Sequence, residues 1–200
     1  MTEFKAFPKI PRLNRDMVVT EKIDGSNACV IIEEEFFPAT PHSNETVDYK
    51  VTAQSRNRII TPEKDNFGFA KWVQENAETL VADLGPGYHY GEWWGSGIQR
   101  GYGLQKGEKR FSLFNTTRWE GSDFDTPGLD MVPVLYYGPF STEAVVNAVE
   151  NLREFGSVAA PYFPKPEGVI VFHTAANRMF KVTLEKDEQP KALAQKEMAA

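Results

Sequence analysis

Short apolar runs rich in β-branched and aromatic residues alternate along the chain with clusters of turn-forming residues, a pattern typical of strands joined by turns. The segment VVTEKIDGSNACVII at 18–32 predicts a strand, a turn at 24–27 and a second strand. Lys22 is thereby expected at a strand end, just before a tight turn. Similar runs predict eight strands, over residues 18–23, 28–33, 49–54, 88–93, 111–114, 132–136, 169–172 and 179–184.

Two segments instead carry apolar residues at helical spacing. The first runs from a capping Asp65 to Gly85, and the second runs from a capping Ser141 to Gly156. Many strands with two inserted helices predict an α+β fold rather than a regular alternation of parallel units. We expect one domain over residues 1–184, followed by a short polar tail at 185–200.

The composition changes this picture little, because 41% hydrophobic and 25% charged residues are ordinary for a globular protein. No apolar run is long enough for a signal peptide or a membrane span, so we expect a soluble, cytoplasmic protein. Cys29 is the single cysteine, which excludes an internal disulfide and a cysteine-built zinc site.

The formal net charge of −6 gives no general attraction to nucleic acid. A local exception is a cluster of cations around the glycines of QRGYGLQKGEKR, comprising Arg100, Lys106, Lys109 and Arg110. Such a cluster predicts either a polynucleotide contact or simply a solvated loop.

Several charged residues stand at the ends of predicted strands, namely Lys22, Arg56, Glu92, Glu167 and Lys181. Each one alone is most simply a solvent-facing charge in a cross-strand pair. Together, two lysines, an arginine and two acids suit a polyphosphate with a divalent cation, and Phe114 can stack on a base. The chain has neither a P-loop nor a GxGxxG motif after a strand, so side chains would have to hold this nucleotide.

The order of these residues resembles the covalent nucleotidyltransferases, which are the ATP-dependent DNA and RNA ligases and the mRNA capping enzymes. KIDG at 22–25 matches the KxDG motif of that superfamily. The motifs that follow are similar in order to motifs Ia, III, IIIa, IV and V, and read SRNR (55–58), YGEWWG (90–95), FSLFN (111–115), EGVIVF (167–172) and FKVTL (180–184). The strings EKIDGSN and GEWWGSGIQRGYG look most like phage-type and bacterial RNA ligases of the RNA ligase 2-like group.

The resemblance implies two antiparallel sheets with flanking helices and a nucleotide cleft between them. It also implies that Lys22 attacks the α-phosphate of ATP and holds AMP, that Glu167 binds Mg²⁺ or Mn²⁺, and that Lys181 contacts the α-phosphate. Asp24 would lie near the reacting phosphate and the incoming strand end. The remaining implied contacts are with the nucleotide, from Glu21 to the adenine edge, Arg56 to ribose and phosphate, Glu92 to ribose hydroxyls and Phe114 to the base.

The chemistry of the lysine explains why these groups are expected together. A free lysine is almost entirely protonated at neutral pH and is then no nucleophile. Nearby Lys181, Arg56 and a metal ion would favour the neutral amine by like-charge repulsion and would stabilise charge in the transition state.

Two features depart from the family pattern. Motif V commonly has two lysines separated by one residue, whereas Val182 and Thr183 follow Lys181 here, so Lys186 or Lys191 would have to replace the second lysine. The family's ligases also usually add a further domain, and this chain looks like the adenylation domain alone.

The sequence therefore predicts an ATP-dependent RNA ligase that adenylylates Lys22, transfers AMP to a 5′-phosphate and joins that end to a 3′-hydroxyl. RNA is the expected partner, with DNA and a separate partner domain or protein left open. The alternatives are a DNA ligase, a GTP-using capping-type transferase, and a non-catalytic nucleotide- or RNA-binding module.

Overall fold

A computed structural model describes residues 2–37 and 46–185. The strands in these ranges are β1 (Asp16–Lys22), β2 (Ser26–Phe37), β3 (Thr46–Ser55), β4 (Ile59–Ile60), β5 (Gly87–Gly95), β6 (Lys109–Leu113), β7 (Leu129–Met131), β8 (Val134–Pro139), β9 (Gly168–His173) and β10 (Arg178–Thr183). The helices are α1 (Phe69–Glu75), α2 (Ala77–Leu84), α3 (Thr116–Trp119) and α4 (Thr142–Phe155), with a short 3₁₀ helix at Pro62–Lys64. The tail at 186–200, with Lys186 and Lys191, lies outside the described residues.

The predicted second helix is confirmed as α4. Its N-cap is Ser141, whose hydroxyl oxygen accepts a hydrogen bond from the Ala144 N–H at 3.1 Å, and its C-cap is Gly156 with φ 83°. Val149 and Leu152 are buried on one face, as the apolar spacing requires.

The predicted first helix is two helices, because Asn76 interrupts it between α1 and α2. The Asp65 carboxylate still caps the start, since it accepts hydrogen bonds from the Ala70 N–H at 2.8 Å and the Lys71 N–H at 3.1 Å. The end at Gly85 is as predicted.

The strand predicted over 132–136 is confirmed for 134–136, which lie in β8, but it begins too early, because Val132 and Pro133 lie between β7 and β8. Proline has no N–H to donate to a ladder. The residues before it form β7 in a six-stranded sheet, and those after it form β8 in a four-stranded sheet. The sequence pattern also missed β4 and α3, which are only two and four residues long.

The chain divides into two compact units, which are described separately. The four-stranded unit comprises the described residues within 1–22, 133–158 and 164–200. Its strand order is β10-β9-β1-β8 and all its pairs are antiparallel. The core lies between this sheet and α4, and includes Met17, Val19 and Val169, each with 0% of its surface exposed.

The six-stranded unit comprises residues 23–132 and 159–163. Its strand order is β4-β3-β2-β5-β6-β7, and α1 and α2 contribute Phe69, Val73 and Leu80 to the core on one side of the sheet. Cys29 on β2 is buried with 1% exposure, and burial raises the pKa of its thiol to about 11 against a smaller lowering by a backbone hydrogen bond at His89.

The α+β class with two sheets is confirmed, with one correction to the antiparallel pattern. The pair β6 and β7 is parallel, with Phe111 opposite Leu129. Over residues 2–37 and 46–185, no helix combines the length and the apolar character needed to cross a membrane.

Candidate active site

Lys22 is the last residue of β1, and the alternation of that strand decides which way it faces. Met17 and Val19 belong to the core against α4, so the alternate residues Val18, Thr20 and Lys22 lie on the opposite face of the four-stranded sheet. The Lys22 side chain is 23% exposed. A nucleophile in this position is accessible, and the strand behind it is held by pairing on both sides.

Glu167 is the ion-pair partner of Lys22. The lysine Nζ donates a hydrogen bond to Glu167 Oε2, and the glutamate side chain is 19% exposed. Glu167 directly precedes β9, and its main-chain oxygen accepts from the Leu184 N–H at 2.9 Å. The structure thus brings two predicted site residues, 145 positions apart in sequence, into direct contact.

Gly168 explains how Glu167 comes so close to the strand end. It lies opposite Lys22 on one side and Thr183 on the other, in the middle of three paired strands. A Cβ atom at this position would lie 2.1 Å from the Val182 main-chain oxygen and 2.8 Å from the Thr183 Cα. With φ at +151° as well, only glycine fits here without moving β10 away from β9.

Lys181 lies on the same sheet face as Lys22. It is opposite Ile170 on β9, and Ile170 is in turn opposite Thr20 on β1, which is two residues before Lys22. Lys181 is exposed. One face of the four-stranded sheet therefore carries the two lysines, with Glu167 at the strand end.

Glu21 faces the other way and has a different environment. It is 1% exposed, and its carboxylate accepts hydrogen bonds from the Ser157 hydroxyl at 2.6 Å and the Val158 N–H at 2.8 Å. Ser157 and Val158 follow α4, so these bonds attach the end of β1 to the end of that helix. Contact of Glu21 with an adenine edge stays a prediction. No local pattern pointed to Ser157, because a serine after a helix is common.

Asp24 belongs to the six-stranded unit, where two residues of the loop after β5 hold it. Its Oδ2 accepts a hydrogen bond from Arg100 Nε at 3.0 Å, and its main-chain N–H donates to the Tyr102 hydroxyl at 2.8 Å. The aspartate and arginine side chains are 30% and 28% exposed. The sequence analysis did not anticipate Tyr102, whose hydroxyl could be placed only with the loop conformation known.

Glu92 lies on β5 and is 8% exposed. One carboxylate oxygen accepts from the Gly25 N–H at 3.0 Å and the other accepts from Asn27 Nδ2 at 2.8 Å. A Cβ at Gly25 would lie 2.5 Å from the Trp93 main-chain oxygen, so the turn packs directly on β5. Glu92 therefore holds the turn of the KxDG segment, and its predicted contact with ribose hydroxyls stays a prediction.

Arg56 and Phe114 are both exposed. Arg56 lies in the turn between β3 and β4, and Phe114 follows β6, with its main-chain N–H donating to the Tyr90 oxygen at 3.0 Å. The contacts predicted for their side chains, with ribose, phosphate and base, stay predictions.

The predicted basic cluster is largely engaged within the chain. Besides the pairing of Arg100, the Lys109 Nζ donates to the Phe67 main-chain oxygen at 2.6 Å. Arg110 pairs with Glu108 at 2.7 Å and lies over the Trp94 ring at 5.6 Å, and its hydrogen bond lowers the pKa of the Glu108 carboxyl. These contacts favour a role in shaping the loop.

Metal binding has to be judged from the available donors. Among residues 2–37 and 46–185, no three histidine, cysteine or carboxylate side chains cluster closely enough to hold an ion by themselves. Mg²⁺ commonly takes one or two protein carboxylates and completes its shell with water and phosphate oxygens. A single, partly buried carboxylate such as Glu167, in contact with Lys22, fits that mode.

The described geometry can now be compared with known proteins. The fold matches solved structures of an RNA ligase from Naegleria gruberi. A variant solved with ATP and Mn has a TM-score of 0.54 at 16% identity, over 88% of this chain and 52% of that chain. A second with AMP and Mn has a TM-score of 0.51 at 17% identity over 92% and 52%, and an apo variant has 0.54 at 16% over 94% and 53%. The chain thus spans about half the length of these structures.

Comparison with curated protein sequences gave no match. The family model described as RNA ligase, however, matches residues 15–183, a range that includes every strand from β1 to β10. It also includes all the motifs quoted above except Leu184, the last residue of FKVTL. The resemblance inferred from those motifs is thereby confirmed, and the chain belongs to the RNA ligase family.

Proposed function

We propose that the protein is an ATP-dependent RNA ligase acting through a covalent Lys22–AMP intermediate. The observation that carries this proposal is the contact of Lys22 with Glu167 at a strand end, on the sheet face that also bears Lys181. Membership of the RNA ligase family supports the reaction class. The Naegleria gruberi ligase structures with ATP and Mn support ATP as donor and a divalent cation, Mg²⁺ or Mn²⁺, as cofactor.

In the first step, the Lys22 Nζ attacks the α-phosphorus of ATP. A nitrogen–phosphorus bond forms, the bond from the α-phosphorus to the bridging oxygen breaks, and pyrophosphate leaves. A lysine in an ion pair with a carboxylate is an ammonium, which has no lone pair for attack. Lys22 must therefore lose to solvent the proton that its Nζ donates to Glu167 before it attacks, and the nitrogen loses a second proton to solvent as the phosphoramidate forms.

Lys181 has a separate task in this scheme. As an exposed cation on the same sheet face, it is placed to bind α-phosphate oxygens and to stabilise the charge that develops on them. A divalent cation held by Glu167 would neutralise phosphate charge and compete with Lys22 for the carboxylate.

The later steps transfer AMP from Lys22 to a 5′-phosphate of RNA and then displace AMP by a 3′-hydroxyl, which forms the phosphodiester bond. For Asp24, Arg56, Glu92, Phe114 and Glu21, the roles implied by the motifs are part of this proposal. DNA as the acceptor, GTP as the donor and a partner domain for RNA binding are the variants of the proposal that experiment has to separate.

The test is transfer of label from α-labelled ATP to the protein, with Mg²⁺ or Mn²⁺. We expect label that survives denaturation and is released by acid, as a phosphoramidate is. Lys22→Ala should abolish it, whereas Lys71→Ala, which removes an exposed lysine of α1, should leave it unchanged. Labelled GTP and NAD, tested in parallel, identify the donor.

Folded protein that binds ATP without covalent label would contradict the proposal and favour a non-catalytic nucleotide-binding module. If label forms, labelled RNA and DNA with 5′-phosphate ends then identify the acceptor. Sealing of DNA but not RNA would replace RNA ligase by DNA ligase.

A further inference from the structure

The loop after β5 has an unusual backbone. Six of its residues have positive φ, namely Gly97 (79°), Gln99 (43°), Gly101 (68°), Tyr102 (51°), Gly103 (68°) and Gly107 (87°). Glycine adopts this conformation freely, but for a bulky side chain it costs about 1 kcal/mol or more. A strained tyrosine in a loop is therefore expected to be held there by something that the fold or the function needs.

Tyr102 is held by packing and by a hydrogen bond with the Asp24 main chain. It is 2% exposed, with its ring 5.2 Å from that of Trp94 and 4.6 Å from that of Phe163. Its hydroxyl accepts the Asp24 N–H at 2.8 Å. The strained backbone thus places the buried Tyr102 side chain against the main chain of Asp24.

Arg100 acts on the side chain of the same residue. Its Nε lies 3.0 Å from Asp24 Oδ2, and both side chains are about one-third exposed. A pair this accessible adds little to folding stability, because water and salt screen it. What a planar guanidinium does add is direction, since its N–H groups fix where the carboxylate points.

We propose that Arg100 and Tyr102 are positioning residues for Asp24, one orienting its carboxylate and the other its main chain. This inference rests on the proposed function and deepens it, because Asp24 is the residue assigned to the reacting phosphate and the incoming RNA end. The loop after β5 then contributes to the joining reaction. Arg100 holds the Asp24 carboxylate in place and is not a general contact for a polyanion.

The test separates positioning from folding by combining variants. Sealing of a pre-adenylylated RNA strand to a 3′-hydroxyl acceptor is measured for Arg100→Gln, Arg100→Lys and Tyr102→Phe, with Lys22 labelling measured alongside. Misdirection of a group at the reacting centre costs up to about 100-fold in rate. We expect about that loss for Arg100→Gln, partial recovery in Arg100→Lys, and about a 10-fold loss for Tyr102→Phe.

The discriminating measurement uses Asp24→Asn as background. If Arg100 acts through Asp24, adding Arg100→Gln to Asp24→Asn changes the sealing rate by less than about 2-fold, because the effects of coupled residues do not add. Arg153→Gln is the matched control, since it breaks an exposed arginine–glutamate pair on α4 and should change nothing. Thermal unfolding of each variant shows whether it is folded.

Wild-type sealing in folded Arg100→Gln would overturn the inference, as would a full additive loss in the double variant. Either result would leave Lys22 labelling, and with it the proposed function, intact. A wild-type protein that neither labels Lys22 nor seals RNA would instead overturn the proposed function, and the inference would fall with it.

Discussion

Two ion pairs lie on either side of Ile23 in the sequence, and they are alike in exposure but not in what holds them. Lys22 pairs with Glu167 in the four-stranded unit, with side chains 23% and 19% exposed. Asp24 pairs with Arg100 in the six-stranded unit, with side chains 30% and 28% exposed. The first pair joins two strand ends, whereas the second belongs to a turn that Tyr102 and Glu92 also hold.

The two ion pairs differ in whether the proposed reaction requires them to open. Under the proposed mechanism Lys22 cannot attack a phosphorus while it is an ammonium bound to Glu167, so this pair would have to open during the reaction. Asp24 has three neighbours that fix its carboxylate, its main chain and the adjacent glycine, so this pair suits a part that stays in place. Two salt bridges of similar exposure would thus have different roles, because one opens during the reaction and the other stays closed. Their exposure alone would not distinguish them.

The largest effect is expected from Glu167→Gln, which tests whether the first pair is an exchangeable one. Glutamine keeps the shape but removes the charge that pairs with Lys22 and would hold a divalent cation. We expect Lys22 labelling to slow by about 100- to 1,000-fold, as for loss of one electrostatic group at a reacting centre. The rate of labelling with ATP and Mg²⁺ measures this directly.

Glu150→Gln is the control for that variant, because Glu150 forms an exposed pair with Arg153 on α4. Faster labelling in Glu167→Gln than in wild type would contradict the expectation. It would mean that Glu167 only restrains the amine, and that the first pair is a brake on the reaction.

A smaller effect, on stability, is expected from Gly25→Ala, which tests the rigidity of the second pair's surroundings. The new Cβ would lie 2.5 Å from the Trp93 main-chain oxygen and 2.8 Å from the Trp94 Cβ, neither of which can rotate away. We expect a loss of about 3 kcal/mol in the free energy of unfolding, measured with denaturant. Gly107→Ala meets no atom within 4 Å and should cost only about 1 kcal/mol through its positive φ. Equal losses would show that the turn yields easily.

The smallest effect is expected in the pH dependence of the free energy of unfolding. It shows whether a loss of activity in acid comes from unfolding or from the reaction itself. Burial lowers the pKa of His89 in the six-stranded unit, and the positive charge of Arg118 lowers it further. The hydrogen bond to the Gly85 carbonyl raises this pKa, but by less than burial lowers it. The unfolded chain therefore binds a proton more readily than the folded one. The stabilisation is complete above the ordinary pKa of 6.5 and is lost as the pH falls through the lowered value.

The expected loss is about 1 kcal/mol or less in the free energy of unfolding between pH 7 and pH 5. Denaturant titrations of wild type and His89→Gln at several pH values measure it. A slope with pH that is the same in both proteins would assign the acid sensitivity to other groups, such as carboxylates.

The sequence anticipated the fold wherever a local pattern carried the information. Ser141 and Gly156 bounded α4 because caps are encoded by single residues, and the alternation in 18–23 placed Lys22 at a strand end. The boundary at Pro133 was missed even though proline marks it, because apolar residues continue on both sides. The parallel pairing of β6 with β7 has no local signal, since it depends on the loop that brings residue 129 back.

For the candidate site, the sequence predicted which residues to consider, whose roles stay predictions, but few of the contacts that they make. Motif order led to Lys22, Glu167 and Lys181, which the four-stranded sheet places on one face or at one end. It could not show that the Glu21 carboxylate is bonded by Ser157 and Val158, because those partners lie 136 and 137 residues away in sequence. Nor could it show that Arg100 pairs with Asp24, since that contact depends on a loop with several positive φ angles.

Cys29 gives the chain a built-in reporter of local opening. Its thiol is buried on β2 of the six-stranded sheet, and its raised pKa, about 11, leaves almost no reactive thiolate at neutral pH. A thiol reagent can reach it only when that sheet separates, so the rate of modification reads the opening of one unit alone. Because the chain has no second cysteine to compete, the rate of thiol modification can follow opening of this unit without any substitution in the sequence.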